Sequence, residues 1–130
     1  MADYLLDSSI LVLALRSRPT ILDLIGNLQT RGDLDISVAS RTEILAGMRP
    51  HEEAMTMALL DSLIGLPITA SIADQAGRWI YHYARRGVQL SFPDALIAAT
   101  AMAHDLTLVT TNARHFPIEG LQIMPIQVDD

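Results

Sequence analysis

Residues 91–110 read SFPDALIAATAMAHDLTLVT. Ser91 followed three places later by Asp94, with Pro93 between them, is a helix-opening pattern. The hydroxyl accepts from an orphan backbone N–H, and the missing donor and fixed φ of proline do no harm in a first turn. Residues 95–103 are then apolar on every side, so this helix has no face to turn to water and must be buried. Residues 106–110 form a continuous β-prone run without polar alternation, as expected of a central strand in a parallel sheet.

The same alternation extends outward in both directions. A short apolar run, Tyr4-Leu5-Leu6, ends at Asp7, and Ser8-Ser9 opens an apolar stretch that reaches Leu15; this predicts a strand followed by a helix. Pro19 introduces Ile21, Leu22, Leu24, Ile25 and Leu28 at helical spacing, stopped by Gly32. Residues 34–38 read as a strand, and Ser40-Arg41-Thr42-Glu43 matches the S-x-x-E box that starts a helix. Further on come a helix over 52–64, a brief strand over 65–68, an amphipathic helix over 70–86 closed by Gly87, and an edge strand over 121–126 that tolerates Pro125. Strands alternating with helices predict an α/β fold: a mostly parallel sheet covered on both faces, with right-handed crossovers.

At 130 residues and 50% apolar composition, the chain is expected to form one domain over 1–130 with a single core and no disordered tract. The longest uninterrupted apolar run, residues 10–15, is far short of the ~18 residues of a membrane span, and the first residues lack the basic head of a signal peptide. With no cysteine there is no disulfide framework, thiolate metal site or cysteine nucleophile, and the cytoplasm is the expected compartment. All nine cations are arginine; without lysine, a Walker-type phosphate loop and Schiff-base catalysis are excluded. The seven glycines never approach G-x-G-x-x-G spacing, so no dinucleotide site is indicated. A net charge of −6 means that any nucleic-acid partner must meet a local arginine patch.

In open α/β sheets ligands bind beyond the carboxyl ends of the strands. Three strand-to-helix junctions there carry an acid: Asp7 after the first strand, Glu43 one turn into the helix after the second, and Asp94 one turn into the buried helix. A fourth junction carries Thr110, Thr111 and Asn112. Each acid has an ordinary explanation. Asp7 could be an N-cap, and Glu43 and Asp94 third-residue partners in capping boxes, worth ~0.3–1 kcal/mol each through the helix dipole alone. Together, on a rim with little polar company, they repel one another unless a cation joins them. Oxygen donors without cysteine or regular histidine spacing select a hard ion, Mg2+ or Mn2+. His51, His82, His104 and His115 show no metal-ligand pairing, and no histidine is placed to activate Ser8 or Ser9 as a nucleophile.

Four segments carry a family resemblance: Leu5-Leu6-Asp7-Ser8-Ser9-Ile10-Leu11, Arg41-Thr42-Glu43-Ile44-Leu45-Ala46-Gly47, Pro93-Asp94-Ala95-Leu96-Ile97-Ala98-Ala99-Thr100-Ala101 and Leu108-Val109-Thr110-Thr111-Asn112-Ala113-Arg114-His115-Phe116. Their order and spacing are similar to the motifs of PIN domains, with VapC-type toxins the nearest group. The resemblance implies a three-layer α/β/α sandwich, Mg2+- or Mn2+-dependent cleavage of RNA, a homodimer, no membrane attachment, and neutralisation by a VapB-like antitoxin. It also implies roles: Asp7, Glu43 and Asp94 as the metal-binding and catalytic acids, Ser9 and Thr110 as supporting hydroxyls, and Asn112 at the fourth catalytic position. Asn112 stands where relatives carry an acid or amide, and His115 where they are often acidic. Asn112 offers a carbonyl oxygen but no charge, which weakens any second metal site. Arg41 and Arg114 are the expected RNA phosphate contacts. A housekeeping RNA-processing nuclease of the same fold, or a PIN-like binding module that has lost catalysis, are the alternatives.

Overall fold

The computed structural model describes residues 2–128. The elements alternate as β1 (Ala2–Leu6), α1 (Ser8–Leu15), α2 (Pro19–Gln29), β2 (Asp33–Ser37), α3 (Val38–Gly47), α4 (Glu53–Asp61), β3 (Ile64–Leu66), α5 (Ala70–Ala84), α6 (Phe92–Ala103), β4 (Thr107–Thr110) and β5 (Ile123–Pro125). Single 3-10 turns cover Pro50–Glu52 and Ala113–His115. The five strands form one sheet in the order β3-β2-β1-β4-β5, and every pairing is parallel. Leu5 pairs with Asp35 on one side and with Leu108 on the other, so β1 is the centre of the sheet.

Because side chains alternate across a strand, neighbouring residues of the central strands feed opposite layers. Leu5 and Leu108 join the cluster under α5 and α6, with Ala95, Ala98 and Phe116. Leu6 and Val109 join the cluster under α1, α2 and α4, with Ile10, Ile21 and Leu60. All four strand residues are fully buried, each contributing about 1.5–3 kcal/mol. This is the three-layer α/β/α arrangement, and α6 supplies its most buried helix, with six buried residues from Ala95 to Ala101. Among the described residues no helix is long and apolar enough to cross a membrane.

The elements agree with the sequence reading in order and type and differ at their ends. The main correction concerns α3, which starts at Val38 rather than after Ser40. Ser37, the last residue of β2, is its N-cap and accepts from the Ala39 N–H at 3.1 Å. Strand and helix therefore meet without a linker, and the β-branched Val38 opens the helix. The segment 52–64 divides: its helix ends at Asp61, and Ile64 already belongs to β3, where it pairs with Asp35. The helix over 70–86 stops at Ala84, and Gly87 behind it takes a φ of 78°, which only glycine adopts freely.

Candidate active site

Asp7 is the first residue beyond β1. Its backbone N–H donates to the Val109 carbonyl at 2.9 Å, so β1 remains tied to β4 beyond its last strand residue. It occupies the N-cap position of α1, yet its side chain makes no capping bond. The carboxylate instead accepts two hydroxyls at one atom, Oδ2: Ser9 Oγ at 2.8 Å and Thr110 Oγ1 at 2.7 Å. Both hydroxyls spend their single proton on Asp7 and use a lone pair elsewhere. Ser9 accepts from the Thr111 N–H at 3.2 Å, and Thr110 from the Asn112 N–H at 2.9 Å. One network thus fixes Asp7, which is 4% exposed, together with the loop that follows β4.

Glu43 lies in the second turn of α3, since the helix begins at Val38. With Ser37 as the cap, the capping-box explanation of Glu43 does not hold. Its Oε1 accepts from Ser8 Oγ at 2.7 Å, and Ser8 lies 3.1 Å from Ser40 Oγ, which is fully buried. Loss of water raises the pKa of Glu43, the Ser8 bond counteracts this, and the charges of Asp94 and Asp7 raise it further.

Asp94 sits in the first turn of α6, where its backbone N–H donates to the N-cap Ser91 at 3.2 Å. The Ser91 half of the expected box is therefore present. Desolvation is again the main cause of a raised pKa; a hydrogen bond from Ser91 opposes it, Asp7 adds to it, and His115 lowers it. His115 Nδ1 stands 3.7 Å from Asp94 Oδ2. The three acids, from three distant points in the chain, thus feel one another's charge.

The donor set is all oxygen and anionic, which suits a hard divalent cation. Among the described residues no three of His, Asp or Glu already stand close enough to hold an ion between them. The carboxylates are electrostatic neighbours held by hydroxyls, rather than a closed ligand cage.

The remaining expected residues divide. Ser9 and Thr110 take the supporting positions. Asn112 starts the turn Ala113–His115, is exposed and makes no side-chain capping bond. Arg114, in the same turn, shares a cavity of about 620 Å3 with Asp94 and His115. Arg41 points elsewhere: it pairs with Asp61 at 3.2 Å. On the Glu43 side, a cavity of about 430 Å3 is lined instead by Arg16 and Arg49, along with Val12, Leu15 and Ile44. Ser8, Ser40, Arg16 and Arg49 were missed as site residues because their role depends on how α1, α3 and α4 pack. Only the closeness of Ser8 to Asp7 signalled it in sequence.

Residues 4–118 match the PIN domain family. The chain is 39% identical over 114 residues to Ribonuclease VapC10 of Mycobacterium tuberculosis, covering 88% of this chain and 86% of that one. It is 36% identical over 115 residues to Ribonuclease VapC19 of the same organism, covering 88% and 92%. Among solved structures it resembles a toxin–antitoxin complex from Klebsiella pneumoniae, with a TM-score of 0.79, 26% identity and coverage of 97% and 100%. It also resembles VapBC2 from Rickettsia felis bound to a DNA fragment from its promoter, with a TM-score of 0.84, 23% identity and coverage of 95% and 98%. Two curated relatives above one-third identity, each matched along most of its length, and a family match that spans all three acids make this chain a member of the PIN domain family, of the VapC type.

Proposed function

We propose that residues 1–130 act as one PIN domain that hydrolyses phosphodiester bonds in RNA with the help of Mg2+ or Mn2+. In this reading it is the toxin of a cytoplasmic toxin–antitoxin pair, a homodimer silenced by a VapB-like protein. One observation carries the proposal: Asp7 makes no capping bond to its own helix and Glu43 lies a full turn past the Ser37 cap, yet both stand within electrostatic reach of Asp94. Capping therefore accounts for neither Asp7 nor Glu43, and the mutual repulsion of the three acids calls for a cation. The ribonuclease names of the two Mycobacterium tuberculosis relatives and the toxin–antitoxin complex from Klebsiella pneumoniae support the substrate and the partner.

Asp7, Asp94 and Glu43 would hold the ion. With Oδ2 of Asp7 occupied by two hydroxyls, Oδ1 is the atom it presents. A bound Mg2+ or Mn2+ supplies Lewis acidity at phosphorus and makes water a better nucleophile near neutral pH. Glu43, held by Ser8, would orient the attacking water and take its proton. Asn112, on the loop anchored through Thr110, offers a neutral amide at the fourth position. Arg114 holds substrate phosphate beside Asp94. The antitoxin is expected to cover the acidic cleft and the apolar groove beside Glu43, lined by Val12, Leu15 and Ile44, with a helical segment that brings a cation. A complex with the cleft left open would contradict that arrangement.

The test is cleavage of single-stranded RNA by purified protein with and without Mn2+. Wild type is expected to cut only with the ion, and Asp7→Asn and Asp94→Asn to be inactive while retaining wild-type far-UV circular dichroism. Full activity in either variant would refute the assignment.

A further inference from the structure

We propose that the cavity on the Asp94 side is a nucleotide subsite, in which the ring of Phe92 stacks on an unpaired base of single-stranded RNA while Arg114 holds an adjoining phosphate. The proposal rests on the ribonuclease reading and adds to it a residue that positions substrate.

Phe92 is 73% exposed, the most exposed large apolar side chain among the described residues. The chain has only two phenylalanines, and the other, Phe116, is 2% exposed inside the core. A ring left in water forgoes the stabilisation that Phe116 obtains, and this one stands on the wall of a cavity beside Arg114 rather than on open surface. Phe92 is the first residue of α6, two positions before Asp94. Both line the same cavity of about 620 Å3, within the size range of small-ligand sites.

The charge on this wall decides between occupants. In a protein of net charge −6, Arg114 is the cation lining this cavity, and it is exposed, with the imidazole of His115 beside it as a hydrogen-bonding group. An aromatic face beside a cationic edge is the combination that binds single strands: the ring takes a base and the guanidinium a phosphate. Ser91 and Gln89, also on the wall, add polar groups at the base edge. An apolar partner segment would instead desolvate Asp94, Arg114 and His115 without replacing their hydration. The cavity opens directly onto Asp94, so a base seated there belongs to a nucleotide next to the bond being cut. Every base has a π-face, so Phe92 would contribute affinity and placement with little base preference.

The test uses a fluorescein-labelled eight-nucleotide single-stranded RNA, bound to wild-type and variant protein in EDTA so that it is not cut, and a series in which one base at a time is replaced by an abasic site. Phe92→Ala and Phe92→Leu are expected to weaken binding roughly tenfold, while Phe92→Trp stays within about twofold of wild type. At one position the abasic substitution should weaken wild type but leave Phe92→Ala unaffected. Equal binding by wild type and Phe92→Ala would overturn the subsite. So would strictly additive losses at every abasic position, or a shift of Phe92→Ala to monomer in size-exclusion chromatography, which would assign the ring to an interface between copies. If Phe92→Ala binds normally while wild type cuts RNA with Mn2+, only the subsite fails; if wild type cuts no RNA, the ribonuclease reading fails.

Discussion

Thr110 reaches from the end of β4 to Asp7, 103 residues earlier, and its hydroxyl donates to Oδ2 at 2.7 Å. The same oxygen of Thr110 accepts from the backbone of Asn112 at 2.9 Å. A fully buried hydroxyl therefore sets both the orientation of the first acid and the path of the loop that carries Asn112 and Arg114. Without it, the carboxylate keeps only the Ser9 hydroxyl and the loop loses an anchor.

Thr110→Val keeps the shape and removes donor and acceptor together. It should lower stability by about 1–3 kcal/mol, the cost of leaving buried polar groups unpaired. RNA cleavage should fall more than tenfold, and Thr110→Ser should recover most of both. Urea denaturation alongside a cleavage assay measures the two effects. Unchanged activity in Thr110→Val would mean that Asp7 does not depend on this bond.

The acid pair has a pH signature with opposite signs for stability and activity. The raised pKa values of Glu43 and Asp94 mean that the folded protein holds these protons to higher pH than the unfolded chain does. Stability of the metal-free protein should thus be unpenalised below the ordinary carboxylate range and fall as pH rises through the folded values. Glu43→Gln and Asp94→Asn should flatten that fall. Cleavage should change the other way, declining on the acid side as these carboxyls gain protons and release the ion. Thermal melts in EDTA and pH–rate profiles in Mn2+ would show both, and a metal-free protein that gains stability across that interval would contradict the signs.

Much of this site was legible in the sequence because parallel α/β topology fixes where strand ends go. Asp7 and the segment 110–112 follow from that rule, whereas Asp94 opens a helix that follows α5 rather than a strand, and only the Ser91-Phe92-Pro93-Asp94 pattern marked it. The capping-box reading of Glu43 is the part the structure corrects: Ser40 looked like its cap, whereas Ser37 holds that role and Ser40 is buried against Ser8. The box pattern is short and frequent, and a linkerless strand-to-helix junction moved the cap by three residues. Arg41 illustrates the other limit. Proximity in sequence to Glu43 suggested a phosphate contact, but a side chain on a helix points according to its turn, and this one meets Asp61.

Arg41 and Arg114 should therefore separate in binding. Arg114→Ala is expected to raise the KM for RNA several-fold and to reduce the slope of log K against log salt by about 1, whereas Arg41→Ala should change KM less than twofold. Binding titrations at several salt concentrations would decide. Equal effects would place Arg41 back on the substrate path.

Asp35 is a buried acid outside the site. It is 3% exposed on β2, and its Oδ1 has no hydrogen-bond partner among the described residues. Burial, then the neighbouring Asp33, raises its pKa, while His104 and the amino terminus oppose this. Removing the charge should be favourable at neutral pH: Asp35→Asn is expected to raise stability by about 1 kcal/mol, with the gain shrinking in acid as the wild-type carboxyl becomes protonated. Denaturation at two pH values tests this, and a destabilised variant at neutral pH would indicate a partner for the carboxylate.

The most direct measurement of the central claim is an anomalous difference map from crystals grown with Mn2+, paired with cleavage by the same preparation. The account predicts a manganese peak within bonding distance of the carboxylates of Asp7 and Asp94, with Glu43 beside it. RNA cleavage by protein whose crystals show no ion at these carboxylates would contradict it.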